Sequence, residues 1–558
     1  MIIDAATLEQ DTALDAELCI VGAGAAGVTL ALQFLRGPIR VVLVESGRDQ
    51  AEAATQALYA GEVADTALHP PTDTYRQRQF GGSTTLWGGR CIPLDPLDLR
   101  ARPWIPHSGW PFGHEALTAW YPQANAICEA GAFDYNAASA VPGGMRPMVA
   151  GFTPRDFTTD AIERFSLPTN FAARYRHRLA ASEALRVLLG TNCTAIELGE
   201  GAHSVRTLHL RTLDGRRVAV RATQVVLALG GLETPRLMLA SRGAGHQDGI
   251  GNRQGLVGRY YMSHIAGTSG RLRLHVPPDR VRPGYEVAED GTYLRRRLQV
   301  TEAAQSKHRI GNAVMRLHFP RIPDPAHGSG VLSALYLARG LLPYEYRKRL
   351  AEPAGGKGVA LRHVRNLLTD PFSATGFAWT MLRKRRLAAR KFPSIIVRPP
   401  RNVYSLDYHG EQEPNPDSRV TLAESRDALG MPRLRVDWRC TEGDIRTAQT
   451  CFRLLAEDLA RWGHGSLQAD PAEVAHDMLR DGAYGGHHIG TARMGATPAE
   501  GVVDAECRVH GMANLWIAGA AVFPTSGQAN PTLTVVALAL RLAARLKREL
   551  APPPIAAG

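Results

Sequence analysis

Glu17-Leu18-Cys19-Ile20-Val21-Gly22-Ala23-Gly24-Ala25-Ala26-Gly27 is an apolar run that breaks into three spaced glycines. The run ELCIVG reads as a buried parallel strand, and the VTLALQFL that follows reads as an apolar helix. Between them the glycines have separate tasks. Gly22 permits the tight turn, Gly24 lets a pyrophosphate approach the backbone, and Gly27 lets helix and strand pack closely. The start of the helix then receives negative charge. A second strand, RVVLVE, ends in Glu45, whose carboxylate is placed to accept ribose hydroxyls. An acidic strand end suits an unphosphorylated ribose, which selects FAD or NAD over NADP.

Three further segments return to this nucleotide unit. Phe80–Arg90 (FGGSTTLWGGR) is a second glycine-dense loop, where missing side chains leave room for a flat ring system against backbone. Residues 221–241 (RATQVVLALGGLETPRLMLAS) run from a strand through Gly230-Gly231 into a helix, with Thr234-Pro235 near its opening. Asn514–Gly519 (NLWIAG) forms a last strand, leading through VFPTSGQANP to a long apolar helix.

The bulk properties narrow the rest. At 558 residues, 44% hydrophobic and 21% charged, the chain is long enough for two domains and has an ordinary globular composition. Lys plus Arg exceeds Asp plus Glu by 65 − 53 = 12, a mild basic bias over this length that gives no reason to expect nucleic acid. Seven scattered cysteines without a C-x-x-C pair argue against a disulfide framework, a zinc ribbon and a c-type haem site. The opening residues lack a basic region followed by an apolar core, and no apolar run approaches the ~20 residues of a membrane span. A cytoplasmic protein is the expectation.

The stretch Tyr484–Gly495 (YGGHHIGTARMG) sets His487 and His488 side by side among glycines. Adjacent positions on an irregular segment diverge, and no Cys, carboxylate or third His stands nearby in the sequence, so no metal site is expected. A histidine suits proton removal because its unperturbed pKa lies near working pH. Asn530-Pro531 reads alone as a helix start, with Asn as cap and Pro at the first position.

Taken in order, VGAGAAG with Glu45, FGGSTTLWGGR, ALGGLETPRLMLAS, LVGRYYMSH (256–264), HHIGTARMG and the segment from Gly501 through NPTLT resemble the glucose–methanol–choline (GMC) family of FAD-dependent oxidoreductases. The double-histidine form is most similar to the bacterial branch of sugar and polyol dehydrogenases. The resemblance implies an α/β fold: a Rossmann-type FAD-binding domain with a second substrate domain on a mainly antiparallel sheet. The expected boundaries are 1–110, 185–265 and 475–558 for the first, and 111–184 and 266–474 for the second. It implies His487 as the base that takes the hydroxyl proton while hydride passes to flavin N5, and Asn530 as the partner holding the hydroxyl. Gly22, Gly24, Gly27, Glu45, Gly81, Gly82, Ser83, Thr84, Gly519, Ala520, Pro531 and Thr532 are the expected cofactor contacts. His488 is assigned a loop-shaping role with substrate contact, and Gln412, beside Glu411 and Asn415, is a second candidate substrate contact. Some family members bind flavin covalently through a histidine in the GGST-like loop. That position here is Leu86, so the resemblance implies non-covalent FAD.

The implied reaction is oxidation of a CH–OH group of a sugar, glycoside, cyclitol or other polyol. Electrons would go to an external acceptor: a quinone, a redox protein or oxygen. Dehydrogenase is favoured over oxidase. A GMC-scaffold lyase or decarboxylase is the alternative, and a non-catalytic flavin subunit is argued against by the intact His487 and Asn530. Residues 331–392 differ in character, mixing apolar stripes with Arg and Lys. Such basic amphipathic helices suit an ordinary insert packed on the core, peripheral membrane contact, a cap over the active site or a partner subunit. The terminal APPPIAAG reads as a disordered tail.

Overall fold

A computed structural model describes residues 1–143, 147–167, 169–341, 358–388, 392–393, 396–397, 399 and 402–551. The tail from 552 and the part 342–357 of the basic stretch lie outside the described residues.

Two large sheets organise the chain. The first has eight strands, and its path runs Ile2–Asp4, Leu185–Leu189, Val41–Val44, Thr12–Val21, Arg217–Leu227, Val205–Thr212 and Thr191–Leu198. Its first five strands pair in parallel, and Leu515–Ile517 joins in parallel beside Arg217–Leu227. The central strands are buried on both faces, so Val41–Val44 is apolar at every position. Helices Ala25–Leu32 and Thr532–Glu549 pack on this sheet within one continuous core.

The second sheet is antiparallel, in the order Gly465–Gln468, Met262–Leu274, Val403–Gly410, Ala313–His318, Leu298–Val300 and Phe157–Thr158. The 21-residue helix Glu442–Trp462 covers it, opened by a capping box between Thr441 and Asp444. The histidine-bearing segment is a strand as well, Ala483–Ile489, paired antiparallel with Met262–Leu274 across a register shift. Although it lies inside 475–558, its backbone partners therefore belong to the second sheet. Gly485 and Gly486, at φ 76° and 67°, absorb the irregularity that the glycine content forecast.

Candidate active site

A cavity of about 800 Å³ lies between the two sheets. Its lining includes Gly22, Gly24, Glu45, Gly82, Ser83, Thr84, Gly519, Ala520, Asn530, Pro531, Thr532 and both histidines. Gly27 and Gly81 stand behind that wall, where the interior requires them. A Cβ on Gly27 would fall 1.8 Å from the Gly22 carbonyl oxygen, and one on Gly22 (φ 106°) would fall 2.5 Å from that of Ala228. Gly81 holds φ 96° and donates its N–H to the Ala23 carbonyl, tying the two glycine loops together.

Gly24 is different. A Cβ there meets nothing within 4 Å, so the protein itself has no need of a glycine at this position. The room is left for a group in the cavity, beside the start of helix Ala25–Leu32. Gly519, also on the cavity wall, has the same empty surroundings. Glu45 is held by two backbone donors, Ala23 N–H on Oε2 and Gly47 N–H on Oε1, both at 2.8 Å. Burial raises its pKa and those amides oppose the rise, while each oxygen retains a lone pair for a hydroxyl. An extended dinucleotide fits these features. Gly24→Ala is expected to fold as the parent does and to weaken FAD binding at least about tenfold in a fluorescence titration, because the added methyl occupies ligand space. Gly27→Ala is expected to fail at folding instead. Unchanged FAD affinity in Gly24→Ala would refute this assignment.

Strand alternation separates the histidine pair, since successive side chains leave opposite faces. His487 Nε2 lies 3.0 Å from Asn530 Nδ2, and His487 Nδ1 lies 2.8 Å from His264 Nδ1. With the Asn530 amide donating, Nε2 of His487 is bare and its Nδ1–H is given to His264. Asn530 Oδ1 is buried without a partner. The amide does not cap the closing helix, which begins at Thr532 after Pro531. It faces His487 instead. Burial, with Arg90 adding repulsion, pushes the His487 pKa down to about 3.

His264 stacks on His409 at 4.4 Å, and burial drives both well below the ordinary range. Sequence reasoning passed over these two residues, although each sits in a strand-like run, MSHIAG and SLDYHG. Ring nitrogens of His264, His409 and His487 fall within 4.8 Å of one another. The 2.8 Å His264–His487 contact is that of a shared proton. Two nitrogens held tetrahedrally at ~2.0 Å from one zinc would sit about 3.3 Å apart.

His488 turns the other way. His69 Nδ1 donates to the Pro70 carbonyl at 2.7 Å, so a neutral His69 accepts the Tyr261 hydroxyl proton at Nε2, 2.8 Å away. The Tyr261 oxygen then accepts from His488 Nδ1–H at 2.7 Å, which leaves His488 Nε2 bare and buried. This relay fixes the tautomer of a residue to which the sequence assigned a loop-shaping role with substrate contact. Gln412, an expected substrate contact, lies elsewhere. Its Oε1 accepts from Ser263 N–H and Trp438 Nε1–H, and its Nε2 donates to the Arg439 carbonyl. It is fully buried and absent from the cavity wall, so that expectation is corrected: its polar atoms are consumed in joining chain segments. Glu411 is likewise interior, paired with Arg102.

Residues 414–539 match the family model described as GMC oxidoreductase. The chain is 23% identical to 2-methyl-1,2-propanediol dehydrogenase of Mycolicibacterium austroafricanum, over 96% of this chain and 95% of that one. It is also 23% identical to paromamine 6'-oxidase of Streptomyces fradiae, over 96% and 92%. Among solved structures, pyridoxine 4-oxidase from Mesorbium loti superimposes with a TM-score of 0.53 at 19% identity, covering 95% of this chain and 99% of that one. That likeness establishes the shared fold.

Proposed function

We propose that this chain, whose residues 414–539 match the GMC oxidoreductase model, is an oxidoreductase of that family that uses FAD to oxidise a CH–OH group of a sugar, glycoside, cyclitol or other polyol and passes the electrons to an external acceptor. The observation that carries this reading is the His487–Asn530 pair on the wall of a cavity that also contains Gly24 and Glu45. The cofactor is read as non-covalent, since Leu86 stands at the attachment position. The segments 1–110, 185–265 and 475–558 are proposed to carry it, with 111–184 and 266–474 providing the substrate side.

The chemistry follows from one hydrogen bond. In the closed pair, Asn530 Nδ2 donates to His487 Nε2 at 3.0 Å. A substrate hydroxyl entering between them donates its proton to Nε2 and accepts from Nδ2–H, replacing one bond with two. His487 Nε2 then takes that proton as the carbinol carbon is oxidised. FAD, when bound, supplies the hydride acceptor. Asn530 keeps the alkoxide oxygen hydrogen-bonded while negative charge develops on it. His264 accepts from His487 Nδ1–H, which fixes the ring orientation and favours charge on the imidazole during transfer.

Anaerobic mixing with a panel of sugars, polyols, aminoglycosides and aliphatic alcohols tests the reading. Bleaching of the flavin band by at least one alcohol is expected, and no bleaching by any would sink it. Reoxidation in air against a dye then separates oxidase from dehydrogenase, and the dehydrogenase outcome is expected. Since burial and Arg90 keep His487 neutral down to about pH 3, kcat/KM should stay flat on the acid side from about pH 8 to pH 5. A limb centred near the free imidazole value of ~6.5 would contradict this.

A further inference from the structure

The helices Val359–Thr369 and Pro371–Met381 carry apolar surface that the rest of the protein does not use. The first is anchored on one face. Val359 and His363 are buried, the His363 ring stacks on Tyr336 at 4.0 Å, and Asn366 Nδ2 donates to the Pro325 carbonyl at 2.8 Å. The opposite face bears Leu361, Val364 and Leu368, spaced three and four residues apart in one stripe. All three are exposed, Leu368 to 74%.

The second helix, PFSATGFAWTM, has no buried residue although most of its positions are apolar. Phe372 is 88% exposed and Trp379 63% exposed, two turns apart on one side. Leu382 continues that side and Leu387 is exposed beyond it. An eleven-residue apolar helix left wholly outside the core has its natural solvent elsewhere.

Charge indicates which solvent. Between residues 358 and 388 stand six cations, Arg362, Arg365, Arg383, Lys384, Arg385 and Arg386, against the single carboxylate Asp370. Asp370 is turned inward, where its Oδ2 accepts from Gly330 N–H. Arg362, Arg365, Arg383 and Lys384 are exposed beside the apolar stripes. The buried core of a protein interface is depleted of charged residues, whereas six cations of one sign stand within and beside these apolar stripes. Apolar stripes flanked by cations, with an exposed tryptophan, match the boundary between headgroups and acyl chains of an anionic bilayer. Among the described residues no helix is long and apolar enough to cross a membrane, which leaves lying on the surface.

We propose that residues 358–388 dock this protein onto the surface of an anionic phospholipid bilayer. The docking segment connects to the cavity: Phe392 N–H donates to the Lys384 carbonyl, and the Phe392 ring meets Tyr285 edge-on at 5.0 Å. Tyr285 and Pro393 both line the cavity, so the bilayer-facing element ends at the cavity wall.

Sedimentation of the full chain with extruded vesicles tests the proposal. The protein is expected to pellet with phosphatidylcholine vesicles containing phosphatidylglycerol, and to remain largely in the supernatant with phosphatidylcholine alone. Replacing Leu368, Phe372 and Trp379 together by Ser should lower the partition coefficient at least about tenfold. Arg362→Glu with Arg365→Glu should lower it about tenfold at low salt, with the difference shrinking as salt rises. FAD absorbance and circular dichroism of both variants should match the parent, which separates lost docking from lost folding. Failure of the parent to bind anionic vesicles would overturn the proposal, as would binding that both variants retain. So would a dimer in sedimentation velocity that the triple serine variant dissociates, which would assign the surface to a second copy of the chain.

Discussion

His487→Ala should retain FAD and lose flavin reduction by roughly 10²–10⁴-fold with any alcohol that bleaches the parent, the range expected for removing a positioned general base. The loss is confined to the chemical step, because the histidine's contacts run to Asn530 and His264 rather than to the glycine loops. Stopped-flow reduction under anaerobic conditions reads it directly, with FAD absorbance as the control for cofactor retention. His488→Ala provides the comparison. Its ring is tied into the Tyr261–His69 relay and offers one bare acceptor, so a smaller loss is expected. Equal losses in the two variants would overturn the assignment of roles.

The second large effect is on stability. Arg102 and Glu411 form a two-pronged pair at 2.7 and 2.5 Å, and both side chains are fully buried. Glu411 Oε2 also accepts from Asn312 N–H. Glu411→Ala therefore deprives the buried Arg102 guanidinium of its two-pronged carboxylate and leaves a cavity beside it, with only the more distant Asp98 and Glu413 to oppose its charge. A loss of about 3–5 kcal/mol follows from stranding a buried charge. It should appear as a lower midpoint in urea unfolding. Exchanging both partners together for apolar residues of similar volume should recover much of the loss, since the pair itself must also be desolvated. An unchanged midpoint in the single variant would show that water reaches Arg102.

What the sequence revealed and concealed divides along how far apart the interacting residues lie. The Gly22–Gly27 turn was readable because strand, turn and helix are contiguous and Gly27 answers to the nearby Gly22 carbonyl, although Gly22 itself is also pressed by the distant Ala228 carbonyl. His487 and Asn530 were assignable only through resemblance to a family, for nothing in the local pattern says that their side chains meet. Gln412 and Glu411 misled for the same reason. In a polar segment after a strand they look available, but Arg102 lies 309 residues before Glu411 and Trp438 closes on Gln412 from just past the strand Pro432–Asp437. The His264–His409–His487 cluster draws one residue from each of three strands, so it exists only once the antiparallel register is set.

His487, the proposed base, and its amide partner Asn530 are mounted on different bodies of structure. His487 hangs from a strand of the antiparallel sheet, while Asn530 precedes a helix packed on the parallel one. Their 3.0 Å separation is therefore a gauge of the seam between the two halves. Anything that shifts one half against the other by a fraction of an ångström reaches the reacting hydroxyl undiluted. Substitutions along that seam, remote from the cavity and neutral toward folding, should then register first as slower chemistry.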